Sequence, residues 1–599
     1  MSVPELTPSI HWQVAPTPPQ AVLGAILAMQ KNIHPAVARI AARRIPSVDE
    51  VPAWFNALRE PFCNPLELHD VAIAAQRIRE AIERKEPITI FGDYDTDGIT
   101  ATTLMVQALT QCGANVKPFI PDRETEGYGL TPKAIERCLA QFPFPKLLIT
   151  VDCGISSVAE VADLNARGIE VIVTDHHVVP EVLPPALAVV NPRIQAPKGA
   201  EGMCGCATAF TLMRKVAEDF PSVNMRAFLD LVAVATIADV MNLSGENRSL
   251  VMKGLWILAD PERGNPGLAA LAKAQKLDLR HQRPKMPNGL SLPPLPPVDT
   301  IAFGLVPCIN AASRIGRCAL AYDLLNVKTS GMERKRCEAE TTDCSCAALA
   351  LVEANKERRL IEQRLREVVE AQQLQPRGNL VIAAGTREEG FESGVLGIVA
   401  ARLSDAYHLP AVVCCIKPDG SASGSMRSKG SWHAVEALDT IADLCEHYGG
   451  HAAAAGFALK PGAFEAFCER LPQAFAEGGN EADVKIYEED LVEAIDELFC
   501  KDLEKLEPFG ARNPRPCFAK HFILKEAKVI GADKTHLRLS LTSVSTSDRR
   551  TYEAFWFGAA HRAASWTPGI RLRLFFTVAR DKLRMGEWKL YIEDAIPVP

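Results

Sequence analysis

The sequence predicts a multidomain α/β protein: a mostly parallel sheet domain, a long connecting helix, a second α/β domain and a small C-terminal β-barrel. Three observations predict it. Between residues 70 and 260, short apolar runs alternate with helix-length amphipathic stretches, the pattern of a parallel sheet covered on both faces. From Met332 to Gln373 there is neither proline nor glycine, and the stretch ends in strong helix formers. Beyond about residue 500, runs of alternating polarity separated by turn signals indicate antiparallel strands closing into a barrel. A chain of 599 residues, 47% hydrophobic and 23% charged, has room for several such cores and excludes a disordered or low-complexity protein.

In chain order, residues 1–70 are rich in proline and alanine and read as an N-terminal cap. Residues 71–331 form the first domain, with PITIFG, NVKPFIP, KLLITVD, IEVIVTD and LAVVNP as strands. Ligands of such sheets sit at the carboxyl ends of the strands. Within it, residues 282–298 carry so many prolines that they read as a loop insertion. Residues 332–373 are the connecting helix. Residues 374–478 repeat the α/β pattern in NLVIAAG, PAVVCCI and GGHAAAAGF, with helices between them, and 479–599 hold the barrel strands HLRLSLTSV, YEAFWFG, IRLRLFFTVA and WKLYIEDA. No apolar run reaches the ~18 residues of a membrane helix. The start MSVPELTPSIHWQVAPTPPQ lacks the basic and apolar regions of an export signal, so a soluble cytoplasmic protein is expected. Its 17 cysteines, without paired CxxC knuckles, read as reduced thiols.

Chemistry concentrates at strand ends. FGDYDTDG puts Asp93, Asp95 and Asp97 at alternate positions, and charges so close must be neutralised; a hard divalent cation such as Mg²⁺ or Mn²⁺ is the natural partner, and the position after an apolar strand weakens the alternative of an acidic solvated turn. An EF-hand loop is rejected because its twelfth position is Leu104, not glutamate. An aspartate-nucleophile phosphatase, with Asp95 attacking, stays open on this segment alone. The next strands end in Asp152 and in Asp175 followed by His176 and His177, while the apolar helix FLDLVAVATIADVM carries Asp230 and Asp239. Single acids at strand ends are usually turn formers or caps, but three in succession with two histidines fit a pair of Mn²⁺ or Mg²⁺ ions bridged by a shared aspartate.

DYDTDG, VDCG, TDHH and ATIAD, in that order, resemble the four motifs of the DHH phosphoesterase superfamily. GGHAAAAG (Gly449 to Gly456) resembles its accessory DHHA1 domain. LEPFGARNPRPCF before the barrel resembles, within the superfamily, the RecJ family of bacterial single-stranded-DNA-specific exonucleases. The resemblance implies Asp95, Asp97, His176 and Asp239 as metal ligands, Asp93 as an additional acid of that motif, and Asp152 as the bridge between two ions. It places His177 beside the scissile phosphate as a catalytic residue together with Asp152. Smaller superfamily members have a histidine where this chain has Phe91, so Asp93 or water stands in for it. Asn310, Arg314, Ser425 and Arg427 match positions associated with a 5′-phosphate, Arg123 one near the DNA, and His451 one that hydrogen-bonds a phosphate. Two positions depart from the family pattern: Phe391-Glu392 replaces an aromatic-histidine pair, and Arg512 replaces a glycine.

The implied reaction is two-metal hydrolysis of single-stranded DNA from the 5′ end to 5′-mononucleotides, in repair and recombination, with a single-stranded-DNA-binding protein and a repair helicase as partners. The net charge of −7 gives no sign of a DNA-binding protein. Between Lys528 and Lys589, however, twelve Lys and Arg face five acids, a local balance of +7, interleaved with Phe555, Trp556, Phe557, Trp566, Phe575, Phe576 and Trp588. Such interleaving suits a single-strand-binding OB-fold, although half or more of these rings must face the barrel core. Two other readings are a DHH enzyme for small oligonucleotides or cyclic dinucleotides, which has little use for a basic barrel, and an inactive scaffold, which would have lost metal ligands.

Overall fold

The computed structural model describes residues 11–598 except 143, 261, 280–294, 328–340, 477–483, 532, 546, 547, 549 and 581–586, so most of the proline-rich stretch and residues 332–340 of the expected connecting helix lie outside the described residues. It divides into two units: Pro61–Glu481, and Met1–Glu60 together with Ala482–Pro599.

In the larger unit all five strands of the first sheet are parallel, in the order Asn115–Phe119, Pro87–Phe91, Leu147–Val151, Glu170–Thr174, Ala188–Val190. Because side chains alternate across a strand, each strand feeds two cores. Ile88, Ile90, Leu147, Ile149, Val151 and Ile172 face helices Val71–Glu83, Thr96–Gln111 and Gly205–Ala217. Phe91, Leu148, Val171 and Val173 face Pro132–Gln141 and Val158–Ala166. Burial on both sides is why these strands read as continuous apolar runs. The first strand in sequence is flanked on opposite sides by the second and the third, so the winding reverses beside Pro87–Phe91. That reversal opens a crevice at the carboxyl ends.

The helix Thr341–Ala371 joins this domain to the next. Ala348 and Leu351 belong to the first core, whereas Leu365 and Val369 pack with Phe391, Val395 and Leu396 of the second domain. The second sheet is mixed: Val381–Thr386 and Ala411–Ile416 are parallel, then Ala422–Arg427, Ala454–Leu459 and Cys445–His451 follow antiparallel. SGSMR, which carries Ser425 and Arg427, is therefore part of the central strand. The fully buried Phe391 is a core residue.

In the smaller unit, Cys517–Ile530, His536–Ser543, Thr551–Trp556, Trp588–Val598 and Arg571–Arg580 close into a barrel. Trp556, Trp566, Phe575 and Phe576 are buried, whereas Phe557 is 61% exposed. Residues 11–60 do not stand apart as a cap. Their helices Gln20–Met29 and Pro35–Arg44 share the barrel's core, His11–Val14 pairs in parallel with Val484–Tyr487, and Arg39, Arg43 and Arg44 form ion pairs with Glu489 and Glu488.

The loop before the barrel is fastened by Asn513, which is fully buried; its amide donates to the Leu506 and Pro508 carbonyls and its carbonyl accepts from Arg44. This fixes its neighbour Arg512 at φ +58°, the left-handed region. That conformation costs an L-residue ~1–2 kcal/mol, more than the ~0.5–1 kcal/mol of extra chain entropy that glycine loses on folding. Arg512→Gly is accordingly expected to stabilise this unit by about 0.5–1 kcal/mol in urea denaturation, and a lower midpoint would refute the account.

Candidate metal centre

The acidic residues converge at the crevice because each ends a strand or borders a helix. After Pro87–Phe91, Asp95 caps the helix Thr96–Gln111 by accepting from the Asp97 and Gly98 amides at 2.8 and 3.1 Å. Asp97, in the first turn, accepts from the Gly205 and Cys206 amides at 2.7 and 2.8 Å, at the start of Gly205–Ala217. Two helix N-termini, positive ends of the helix dipole, thus face the acids. A Cβ on Gly205 would lie 2.6 Å from the Asp152 Cβ, so only glycine lets that helix approach. Asp152 follows Leu147–Val151 at φ +62°, a strained backbone of the sort that gathers at functional sites.

His176 Nε2 stands 3.1 Å from Asp152 Oδ1, 3.5 Å from Asp239 Oδ2 and 3.7 Å from Asp97 Oδ2. Three groups of potential ligand atoms lie within 4.8 Å of one another: Asp93, Asp95 and Asp152; Asp97, His176 and Asp239; Asp152, His176 and His177. Asp152 belongs to two of them. Among the described residues, Asp93 Oδ1, Asp152 Oδ1, Asp239 Oδ2 and His176 Nδ1 are buried without a hydrogen-bond partner. Buried carboxylate oxygens without donors are costly unless a cation compensates them. Several hard oxygens with one or two imidazoles fit Mn²⁺ or Mg²⁺ better than zinc. Asp230 is different: its carboxylate accepts from the Asn265 amide at 2.5 Å and serves packing, outside the cluster.

Burial, and then the charges of neighbouring carboxylates, push Asp93 and Asp239 up to about 8; burial also raises Asp97 and Asp152. A raised carboxylate pKa means that the folded chain keeps protons the unfolded chain has released above ~3.9. Stability of the metal-free protein should therefore fall as pH rises from about 4 to about 8. A divalent ion, displacing those protons, should restore it. Thermal melts with EDTA and with Mn²⁺ at pH 6 and pH 8 check this: the gain from Mn²⁺ should be larger at pH 8, and an equal gain at both would rule the cluster out as its source.

His177 is held by Asp175, which sequence reasoning left without a role. Asp175 Oδ1 accepts from His177 Nδ1 at 2.7 Å and from the backbone amides of His176 and His177. Burial lowers the pKa of His177, but the bond and charge of Asp175 outweigh it and hold the ring up to about 9. The exposed Tyr128 donates to the Asp152 carbonyl at 3.2 Å and lies 3.4 Å from His177 Nε2. Asn191 donates to the His177 carbonyl and Arg193 to the His176 carbonyl. LAVVNP, read only as a strand, holds Asn191, and Arg193 follows it directly. Phe91 is fully buried and offers no ligand atom, and Asp93 lies with Asp95 and Asp152 in one ligand group.

Facing the acids are cationic groups from both domains. The Arg123 guanidinium lies 4.9 Å over the Tyr94 ring, Arg314 donates to the Gly394 carbonyl at 2.9 Å, and Arg427 donates to the Met426 carbonyl at 2.9 Å. A Cβ on Gly397 would meet Arg427 Nη2 and Ser425 Oγ, which places both side chains against the start of Ser393–Tyr407. Burial and the like charges of Arg123, Arg358 and Arg427 lower Arg314 to about 10; burial and Arg123 lower Arg427. Guanidiniums that repel one another in a partly dry site call for an anion. Asn310 is committed elsewhere, its carbonyl accepting from Thr96 N and Oγ1. His451, at the end of Cys445–His451, holds its ring parallel to that of His177 at 6.5 Å.

Three family models match the chain: DHH family, N-terminal domain, over residues 87–236; DHHA1 domain over 378–477; RecJ OB domain over 490–594. The single-stranded-DNA-specific exonuclease RecJ of Bacillus subtilis is 31% identical over 587 residues, covering 95% of this chain and 69% of that protein. The Thermus thermophilus RecJ is 33% identical, covering 89% and 72%. A crystal structure of T. thermophilus RecJ in complex with Mn²⁺ superposes with TM-score 0.79 at 28% identity, covering 99% of this chain and 80% of that one, and one in complex with Mg²⁺ with TM-score 0.73.

Proposed function

The chain belongs to the RecJ family of single-stranded-DNA-specific exonucleases, and we propose that it degrades single strands from the 5′ end, releasing 5′-mononucleotides. The observation that carries the reading is the carboxylate cluster at the sheet's switch point, in which oxygens of Asp93, Asp152 and Asp239 are buried without a donor, set against mutually repelling guanidiniums. Asp93, Asp95, Asp97, Asp152, His176 and Asp239 would hold two divalent ions, Mn²⁺ or Mg²⁺, with Asp152 shared. Such ions, when bound, lower the pKa of a coordinated water and stabilise charge on the attacked phosphate.

The chain's own residues supply the rest. His177, kept cationic by Asp175, donates a hydrogen bond to a phosphoryl oxygen or to the departing 3′-oxygen, and Tyr128 limits its swing. Arg123, Arg314, Arg427 and Ser425 bind the terminal 5′-phosphate, which sets where the first bond is cut. His451 closes the other side of the His177 ring and donates to a phosphate. The unit that matches the RecJ OB domain, with its basic balance and the exposed Phe557, favours long single strands over small phosphoesters. A role in DNA repair and recombination, a cytoplasmic location, and a single-stranded-DNA-binding protein and a helicase as partners complete the proposal. No helix among the described residues is long and apolar enough to cross a membrane.

A nuclease assay on 5′-labelled and 3′-labelled single strands with Mn²⁺, Mg²⁺ or EDTA tests it. The 5′ label should leave at once as a mononucleotide, and EDTA should stop the reaction. Early release of the 3′ label would overturn the polarity.

A further inference from the structure

We propose that Arg193 binds the phosphate on the 3′ side of the scissile bond, as the counterpart of the guanidiniums at the 5′ end; the proposal rests on the 5′-to-3′ reading above. Arg193 leaves the strand Ala188–Val190 through Asn191 and Pro192. Asn191, fully buried, accepts from the Arg193 amide at 2.8 Å and donates to the His177 carbonyl at 3.1 Å. Arg193 Nε donates to the His176 carbonyl at 2.6 Å. The side chain is thus anchored by one nitrogen, and its residue is otherwise exposed. A guanidinium fixed through Nε still presents its two terminal nitrogens as a fork suited to phosphate.

Its position gives it a direction. Arg123 stacks over the ring of Tyr94, the neighbour of Asp93, and Arg314 ends the helix whose Asn310 accepts from Thr96, the neighbour of Asp95. Arg193 stands at the other side of the cluster: it is bonded to the backbone of His176, which shares a ligand group with Asp97 and Asp239 and lies 3.5 Å from Asp239 Oδ2. The acids therefore lie between two positive poles. A strand with its terminal phosphate at the first pole and its scissile phosphate at the cluster brings its next phosphate toward the second, where Arg193 is held on the backbone of His176.

The test compares the 5′-phosphorylated dinucleotide pNpN, which ends before that phosphate, with the trinucleotide pNpNpN, which has it. Arg193→Ala should reduce kcat/KM for release of the first mononucleotide from the trinucleotide by about tenfold more than from the dinucleotide, the size expected of a charge-assisted contact. A role confined to positioning His176 would slow both substrates equally, and that result overturns the proposal. Should the variant not fold, the wild-type protein can be given a trinucleotide whose second linkage is an uncharged methylphosphonate. The same selective loss is expected, and an unchanged rate would overturn the proposal. If the wild-type protein instead releases the 3′ nucleotide first, the polarity reading itself fails, which is a distinguishable outcome.

Discussion

Asp152→Asn is expected to lower hydrolysis of single-stranded DNA by about a thousandfold or more, equivalent to about 4 kcal/mol in the barrier. Asp152 is common to two of the three ligand groups, and its Oδ1 finds no donor among the described residues. Asparagine keeps the size of the side chain and tolerates the left-handed backbone at φ +62°, which alanine tolerates less well. A neutral amide cannot bridge two cations as a carboxylate does. The variant removes one of several buried acids that raise one another's pKa, so without metal it should melt higher than the wild type at pH 8. Its gain from Mn²⁺ should shrink, while binding to long strands persists. Wild-type turnover would sink the assignment of Asp152, and lost turnover with a lower metal-free melting temperature would show damage to the fold instead.

The parallel sheet was legible because its strands are buried on both faces and so announce themselves as apolar runs; Leu147–Val151 is buried at every position. The site was legible for the same reason: a charged residue at the end of such a run has nowhere to go but the crevice. Asp230 and Asp239 show the limit of that logic. They share one apolar helix, and only the tertiary fold brings the Asn265 amide to the first and His176 to the second. Asp175 looked like a spare strand-end acid because its function is exerted through three hydrogen bonds to the next two residues, which spacing does not encode.

Gly205 was hidden for another reason. In MCGCATAF the cysteines draw attention, whereas the needed feature is the missing side chain that lets a helix end touch Asp97 and Asp152. The union of residues 11–60 with the barrel was equally invisible. Nothing within residues 11–60 foretells that Arg39, Arg43 and Arg44 meet Glu488 and Glu489 from far along the chain. SGSMR resembles a family motif without reading as a strand, and its glycine and serines are poor strand formers. Neighbouring strands on both sides override that preference, and small residues there leave room for the helix that carries Gly397.

Arg314→Ala is expected to cost about tenfold or more of the preference for 5′-phosphorylated over 5′-hydroxyl strands, since a charge-assisted contact contributes ~1.5–3 kcal/mol. Arg427→Lys should do the same, because a lysine keeps the charge but not the two-pronged geometry that matches phosphate. Arg314 spends one donor on the Gly394 carbonyl and Arg427 one on the Met426 carbonyl, which leaves each guanidinium held in place with donors to spare. The two come from different domains, so a terminal phosphate between them would also relieve their mutual repulsion across the cleft. Relief of repulsion adds to the binding of a phosphate but not of a hydroxyl, and for that reason the ratio of the two substrates, rather than the absolute rate, is the quantity to measure. Removing Arg314 takes away both a contact and part of that repulsion, so the loss should be greatest where the phosphate carries its full second charge, above its pKa of ~6. If both variants cut the two substrates in the wild-type ratio, the terminal phosphate binds elsewhere, Arg314 only ties its helix to Gly394, and Arg427 only packs beside Gly397.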